Sequence, residues 1–228
     1  KSAGEALRLS QLEDGDVQFK TGYKDLVTYW DRKTERLLRG EILSAFPDDM
    51  VVGEEYPPTG GGGVVWYIDP IDGTTNFVNQ HRNYAVSVGC WEGETPLFGL
   101  VLDVEREALY WAKPGEGAWR NGERLHVTRH RDIHDMLMTT PGVQYTFLAQ
   151  HEWHESMRRL ARAVRGVRCL GSVALELCEL AAGEADLFVT LRSSPWDPNA
   201  ARSIVTEARG AVYHIAGGDP TRGAQPHV

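Results

Sequence analysis

The segment from Trp66 to Phe77, which reads Trp-Tyr-Ile-Asp-Pro-Ile-Asp-Gly-Thr-Thr-Asn-Phe, constrains the fold of this chain more than any other. An apolar run over 64–68 leads into it and predicts a buried strand. The run ends before two aspartates, Asp69 and Asp72. The proline between them lacks a backbone donor, so we expect strand pairing to stop there. The segment therefore predicts a sheet edge at which acidic side chains gather.

The remaining pattern indicates a mixed α and β chain. Apolar residues at helical spacing predict a helix over 27–46, with Glu35 on its polar face. Strand-like runs between 84 and 112, and a tight-turn signal at Asn121-Gly122, predict an antiparallel meander.

The later part of the chain alternates between helical and strand patterns. Further elements are predicted as helices over 147–164, 172–182 and 198–208, and as strands over 186–190 and 211–215. The helix over 172–182 is predicted to begin at an N-cap, Ser172, and to stop at Gly183. The fold class is therefore α/β or α+β, an antiparallel block followed by an alternating one. We expect one domain over 1–228, with approximate halves 1–130 and 131–228.

Composition excludes several classes of function. The chain has 228 residues and a formal net charge of −8, and no basic patch of the kind that nucleic-acid binders carry is visible. No apolar run approaches the roughly 18 residues of a membrane span, and the first residues lack the apolar core of a signal peptide. The three cysteines show no metal-binding spacing, which predicts reduced, buried thiols. We therefore expect a cytoplasmic protein with no membrane partner and no nucleic-acid partner.

Acidic residues recur where strands end or helices begin. Glu54 follows an early short strand, Asp69 and Asp72 follow the apolar run, and Asp197 lies at the entry to a helix. Carboxylate and carbonyl oxygens are the ligands that Mg²⁺ prefers. Both aspartates and the carbonyl of Ile71 could face one point, so the pattern predicts a site for two or more divalent cations.

A phosphate site is predicted beside these acids. Gly73 lets a ligand approach the backbone, and Thr74 and Thr75 are good first residues of a helix, whose free amides hold phosphate oxygens. Thr74, with a nearby acid, could orient an attacking water. The pattern thus favours a Mg²⁺-dependent phosphomonoesterase without a covalent intermediate. Asp-Pro and Asp-Gly pairs are also common turn formers, and any one of these acids alone could be only a turn or cap residue.

The sequence resembles the inositol monophosphatase family, within the wider group of lithium-sensitive, Mg²⁺-dependent phosphatases, over about residues 20–215. The segments that carry the resemblance are Asp25 to Thr28 with Asp31, Gly53-Glu54-Glu55, Trp66 to Phe77, Gly171-Ser172, Trp196-Asp197 and Ile204 to Ala208. The resemblance implies a layered αβαβα sandwich, commonly a homodimer. It also implies hydrolysis of a small phosphorylated substrate, by default inositol monophosphate.

The resemblance further implies roles for individual residues. The metal ligands, for about two to three Mg²⁺ ions, would be Glu54, Asp69, the Ile71 carbonyl, Asp72 and Asp197. The residues that activate water would be Asp31, Thr74 and Glu54, and those that bind phosphate would be the backbone of Gly73 and Thr74. A loop lysine of the family matches Lys20. Substrate contacts would come from Gly171, Ser172, Val173, Thr190, Arg192 and Asn199.

Some positions depart from the pattern of the family. Thr190 stands where members that hydrolyse inositol phosphates carry an acid, and Arg192 follows two residues later. This suggests a leaving group with a carboxylate or second phosphate, and leaves histidinol phosphate, fructose 1,6-bisphosphate and a nucleotide or NADP phosphate open as substrates. Asn199 could contact substrate or cap a helix. The chain also ends before the closing strand and helix that the resemblance leads us to expect.

A different class of function also fits the resemblance. Some members of the family are thought to act by binding a protein or RNA partner, with vestigial catalysis. The complete set of acids argues against such decay of the site. That set comprises Asp31, Glu54, Asp69, Asp72 and Asp197.

Overall fold

The fold is described from a computed structural model, which describes residues 2–13, 15–23, 25–129, 132–148 and 153–213. The first elements are helix α1 (Ser2–Arg8), strands β1 (Val17–Phe19) and β2 (Leu26–Thr28), and helix α2 (Tyr29–Ala45). Strands β1 and β2 pair antiparallel. Helix α2 begins at Tyr29, two residues later than predicted, because Thr28 is extended and caps it. The Thr28 hydroxyl accepts the amides of Trp30 and Asp31.

A seven-stranded sheet forms the centre of the molecule. Its elements along the chain are β3 (Met50–Gly53), β4 (Val64–Asp72), helix α3 (Thr74–Gln80), β5 (Ala85–Glu92), β6 (Thr95–Asp103), β7 (Ala108–Lys113), β8 (Gly117–Arg120) and β9 (Glu123–Arg124). The strands lie in chain order; β3 runs parallel to β4 and the later pairs are antiparallel. The predicted meander and the turn at Asn121-Gly122 are therefore confirmed.

The later part of the chain contributes a smaller, parallel sheet. A short 3₁₀ helix (Ile133–Asp135) precedes β10 (Leu137–Thr139), a π-helical turn (Gln144–Leu148), α4 (His154–Ala163), β11 (Gly166–Arg168), α5 (Val173–Ala181), β12 (Leu187–Phe188) and α6 (Asn199–Glu207). The three strands lie in the order β11-β10-β12 and pair in parallel. Ser172 caps α5 as predicted, since its hydroxyl accepts the amide of Leu175.

The elements stack into the expected αβαβα layers. Residues of α1 and α2 form two apolar clusters against one face of the large sheet. Helices α5 and α6 form the largest cluster, against the other face. Helix α6 lies very close to β6, because a Cβ added at Gly99 would stand 2.1 Å from the carbonyl oxygen of Ala200. The small sheet and then α4 lie beyond, through contacts of α5 with β12 and of α4 with β11.

Three predictions of local structure are wrong. Glu35 is fully buried rather than on a solvated face, because its carboxylate binds groups of a neighbouring turn. Strand β4 does not end at Pro70 but continues to Asp72; its pairing with β5 is interrupted at Pro70, as predicted, and resumes at Asp72. Cys169 is exposed, although the described cysteines are free thiols as expected.

The predicted elements at the two ends of the alternating block are only partly seen. The helix predicted over 147–164 begins at His154, and residues 149–152 of that prediction lie outside the described residues. Residues 211–213 form no strand, and the rest of the strand predicted over 211–215 lies outside the described residues. Within the described part of the chain, no helix combines the length and the apolar character that crossing a membrane requires.

Candidate active site

Asp31 and Thr74 meet where α2 and α3 begin. The Thr74 hydroxyl lies 3.0 Å from Asp31 Oδ1 and 3.1 Å from the carbonyl oxygen of Ile71. Asp31 Oδ2 accepts the backbone amide of Thr28 at 2.7 Å and its hydroxyl at 2.6 Å. This capping box fixes Asp31 at the start of α2. A hydroxyl has one proton, so Thr74 can donate to either Asp31 or Ile71, and its lone pairs remain free to accept.

Asp72 lies at the start of α5. Its Oδ2 accepts the hydroxyl of Ser172 at 2.8 Å and the amide of Ala174 at 2.5 Å. Its Oδ1 accepts the amide of Val173 at 3.3 Å. Amides at the start of a helix have no acceptor inside the helix, so a carboxylate is favoured there. The fold thus brings Ser172 and Val173, two predicted substrate residues, against a predicted metal ligand.

Glu54 follows β3 and pairs with Lys20. The ammonium of Lys20 lies 2.7 Å from Glu54 Oε1 and 2.5 Å from Glu55 Oε1. Burial alone would lower the pKa of Lys20, but the charges and hydrogen bonds of Glu54 and Glu55 raise it above its usual range. Burial raises the pKa of Glu55 to about 7, although Lys20 opposes this rise. The positive charge of Lys20 therefore compensates part of the negative charge of Glu54 and Glu55.

Glu35, which sequence reasoning placed in solvent, positions the turn that carries Glu54. Its carboxylate accepts the amides of Glu55 at 2.7 Å and Tyr56 at 3.2 Å. The same carboxylate pairs with Arg39 at 2.8 Å. A Cβ added at Gly53 would stand 2.3 Å from Glu35 Oε1, so only glycine fits beside it. The spacing of Asp31, Glu35 and Arg39, four residues apart on one helix face, is the signal that could have revealed this.

The predicted metal ligands share one electrostatic environment. Burial raises the pKa of Asp31 to about 6, against the hydrogen bonds from Thr28. Burial also raises the pKa of Asp72 to about 6 and that of Asp197 to about 7. The pKa of Asp69 lies well above its usual range because of burial and then the charges of Glu54 and the neighbouring aspartates. These acids are therefore close enough to disfavour one another's charged forms.

The carboxylates of the predicted metal ligands accept hydrogen bonds from other groups of the protein. Among the described residues, no group of three or more His, Cys, Asp or Glu side chains is arranged to hold a metal ion. Asp69 Oδ1 accepts the amide of Ile71 at 3.1 Å, and Asp197 Oδ2 accepts that of Ser194 at 2.6 Å. The chemistry of the set nevertheless fits a hard divalent cation: the donors are carboxylate oxygens, those of Asp69 and Asp72 are buried, and positive charge would relieve their mutual repulsion. The metal-ligand assignment itself stays a prediction.

The predicted phosphate cradle depends on close backbone contacts. Gly73 caps α3 with φ +95°, a left-handed conformation that favours glycine. A Cβ there would lie 3.0 Å from the carbonyl oxygen of Asn83 and 3.2 Å from that of Gly171. Asn76, which sequence reasoning missed, donates to Asn83 at 2.9 Å and to Leu170 at 2.6 Å. The start of α3 is thus fastened to the loop that precedes α5.

The predicted substrate residues of the later half lie around the loop before α6. The Thr190 hydroxyl donates to the carbonyl of Arg192 at 2.6 Å and accepts its amide at 3.2 Å. Arg192 is exposed, and its charge opposes in part the rise that burial causes in the pKa of Asp197. Asn199 is the first residue of α6 and makes no capping bond; its Oδ1 lies 3.5 Å from Arg202. The capping interpretation of Asn199 is therefore wrong, and the substrate interpretation stays a prediction.

Comparison with known proteins identifies the family. A model of the inositol monophosphatase family matches residues 1–227. Inositol-1-monophosphatase of Bacillus subtilis is 35% identical over 229 residues, which cover 96% of this chain and 83% of that protein. Fructose-1,6-bisphosphatase/inositol-1-monophosphatase of Thermotoga maritima is 36% identical over 218 residues, covering 95% and 82%. The solved structure of Thermotoga maritima IMPase gives a TM-score of 0.83 at 33% identity, over 95% of this chain and 82% of that one. The chain therefore belongs to the inositol monophosphatase family, a family of phosphoric monoester hydrolases that are generally metal-dependent.

Proposed function

We propose that this protein hydrolyses a small phosphate monoester to an alcohol and inorganic phosphate, using water as the nucleophile and Mg²⁺ as the metal. The observation that carries the proposal is the 3.0 Å contact between the Thr74 hydroxyl and Asp31, beside a set of buried acids. Asp31 is itself fixed by hydrogen bonds from Thr28, so the acceptor that Thr74 faces has a defined position. That arrangement suits the positioning of a water molecule.

The metal ligands in this proposal are carboxylate and carbonyl oxygens of the large sheet and of the loop before α6. About two to three Mg²⁺ ions would be held, and when bound they supply positive charge to the phosphate and help to generate a nucleophile from water. The ligands are Glu54, Asp69, the Ile71 carbonyl, Asp72 and Asp197. Burial disfavours the charged forms of Asp69, Asp72 and Asp197 and raises their pKa values, which supports the assignment because a bound cation would stabilise those charges.

The chain's own residues would perform the remaining steps. The Thr74 hydroxyl would donate its proton to Asp31 while it accepts a proton from the attacking water, which leaves Asp31 protonated and the water as hydroxide. Glu54 would lie near the same water. The backbone amides of Gly73 and Thr74 would bind the phosphate oxygens. Gly73 is the N-cap of α3, and the amides at the start of a helix have no acceptor inside it, which supports this role.

The default substrate in this proposal is inositol monophosphate, after the names of the related proteins. The name of the Thermotoga maritima relative also includes fructose-1,6-bisphosphatase, which supports a wider range of substrates within the family. Arg192 favours an ester with a second anionic group, because it is exposed and lies within electrostatic reach of Asp197. The leaving group would also contact Gly171, Ser172, Val173, Thr190 and Asn199. Histidinol phosphate and a nucleotide or NADP phosphate stay open as substrates as well.

A substrate panel tests this proposal. Phosphate release from inositol monophosphate, fructose 1,6-bisphosphate, histidinol phosphate and NADP would be measured with Mg²⁺ and, in parallel, with a chelator. We expect turnover of at least one ester that the chelator abolishes. Failure to turn over any of them with Mg²⁺ would contradict the proposal. Lithium inhibition, a homodimer, a single domain and a cytoplasmic location belong to the same proposal. The first two rest on the resemblance, and the last two rest on the length and composition of the chain.

A further inference from the structure

Ser87 carries a hydroxyl that is buried without a hydrogen bond. The residue is 0% exposed, and its Oγ has no partner among the described residues. Burial of an unpaired hydroxyl costs free energy that alanine at the same position would not cost. Ser87 lies on β5, in the middle of the large sheet, and plays no part in the mechanism given above.

The register of the sheet places one acidic side chain directly beside Ser87. Ser87 is opposite Asp69 on β4 and opposite Val101 on β6. Residues directly opposite in an antiparallel pair point to the same face, with Cβ atoms about 4.5–5.5 Å apart. Val101 is apolar and cannot accept a hydrogen bond. Asp69 can, and its Oδ1 already accepts the amide of Ile71 at 3.1 Å.

The neighbouring residues on this face of the sheet give Ser87 few other hydrogen-bond acceptors. Gly89, two residues along β5 and therefore on the same face, lies under the first turn of α6, close to Ala200. Asp72, opposite Ala85 on the same face, already accepts hydrogen bonds at both of its oxygens. A further carboxylate of this face, Asp103, is two residues beyond Val101 and is also paired. Its two oxygens accept the amide and the guanidinium of Arg106 at 3.1 and 2.9 Å.

We propose that Ser87 is a positioning residue: its hydroxyl, which has no partner among the described residues, turns about χ1 to donate a hydrogen bond to Asp69 and orients that carboxylate toward a bound cation. The inference rests on the proposed role of Asp69 as a metal ligand. Groups that hydrogen-bond to a ligand fix its orientation, and their loss typically weakens metal binding by about 10–100-fold. A neutral donor suits this place, because a charged one would compete with the cation for the carboxylate.

Thr139 provides a matched control. It is also 0% exposed, and its hydroxyl likewise has no partner among the described residues. It lies on β10, in the small sheet rather than the large one. Thr139→Val therefore removes a buried, unpaired hydroxyl without touching Asp69.

The test is a calorimetric titration of the metal-free protein with MgCl₂, together with its thermal midpoint. Ser87→Ala is expected to raise the Kd for Mg²⁺ about tenfold, whereas Thr139→Val leaves it unchanged. Asp69→Asn should abolish binding. Ser87→Cys, which keeps a weaker donor, should give a Kd between those of Ser87→Ala and the unchanged protein, and it serves if Ser87→Ala does not fold.

The possible results distinguish the role of Ser87 from the role of Asp69 as a metal ligand. If Asp69→Asn abolishes binding and both Ser87 variants bind Mg²⁺ as the unchanged protein does, the role of Ser87 is wrong and the metal assignment stands. If the unchanged protein binds no Mg²⁺, or Asp69→Asn binds it normally, the metal assignment fails and the role of Ser87 fails with it. Equal weakening by Ser87→Ala and Thr139→Val would also overturn the inference, since it would show a general effect of buried hydroxyls.

Discussion

The Thr74 hydroxyl lies 3.0 Å from Asp31 Oδ1, although 43 residues separate the two in the chain. Asp31 is the third residue of α2 and belongs to its capping box, and Thr74 is the first residue of α3. The same carboxylate thus fixes the start of one helix with Oδ2 and the hydroxyl of another with Oδ1. The capping box is a common way to begin a helix, and in this protein its Asp31 also orients the Thr74 hydroxyl, a candidate catalytic group.

This pairing predicts strongly non-additive effects on catalysis. Thr74→Val and Asp31→Asn should each lower kcat by about 10²–10⁴-fold, because both interrupt the same proton path. The double variant should lose no more than the worse single variant. Asp132→Asn is the control, since Asp132 caps a short helix elsewhere. Steady-state kinetics of the four variants provide the measurement, and additive losses would show that Thr74 and Asp31 act separately.

Glu35 should be important for stability as well as for the site. Glu35→Ala leaves Arg39 buried without its carboxylate and frees the turn that carries Glu54, so we expect a loss of about 3–5 kcal/mol in the free energy of unfolding. Glu41→Ala, an exposed acid on the same helix, should change it by less than about 0.5 kcal/mol. Urea unfolding would measure both. Similar losses in the two variants would contradict a specific role for Glu35.

The metal-free protein should lose stability as the pH rises. Folded-state pKa values of about 6 for Asp72 and about 7 for Asp197 and Glu55 lie above the ordinary values of about 4. Between the ordinary and the raised values the folded state binds more protons than the unfolded state. The stabilisation is therefore complete below about pH 4 and is lost as the pH rises through about 7. Thermal midpoints measured with a chelator from pH 5 to 8 should fall, and Mg²⁺ should restore more stability at pH 8 than at pH 5.

Glu176 should contribute to the same pH dependence from outside the ligand set. It is fully buried, its Oε2 has no partner among the described residues, and burial raises its pKa to about 8. Glu176→Gln removes the titration, so the variant should be less sensitive to pH between 5 and 8 in the metal-free state. Melting curves across that range decide the matter, and a pH dependence equal to that of the unchanged protein would contradict it.

Arg192 should select among substrates. If it binds a second anionic group, Arg192→Gln will lower kcat/KM for fructose 1,6-bisphosphate or NADP by about tenfold, the value of a charge-assisted hydrogen bond of about 1.5 kcal/mol. It should change the value for inositol monophosphate much less. Arg36→Gln, an exposed arginine on α2, controls for net charge. Equal changes in kcat/KM for all esters would show that Arg192 does not discriminate between leaving groups.

Much of the fold was predictable from local patterns, but the supports of the site were not. The helix at 172–182 and the turn at Asn121-Gly122 follow from caps and turn residues, which act over a few positions. Glu35 and Asn76 bind partners that lie far away in the chain, and their polar side chains look like surface residues until those partners are known. The continuation of β4 through Pro70 depends on β5, which no local pattern could show.

The substitution Asp72→Asn shows whether Mg²⁺ binding and turnover depend on the same carboxylate. Asp72 is one of the proposed metal ligands, and its hydrogen bonds hold it against the start of α5. Mg²⁺ binding by calorimetry and phosphate release from the best ester would be measured on the same preparation, with folding checked by circular dichroism. If Asp72 is a metal ligand, we expect a folded protein that has lost Mg²⁺ binding and turnover together. A folded Asp72→Asn protein with the Mg²⁺ affinity and turnover of the unchanged protein would contradict it.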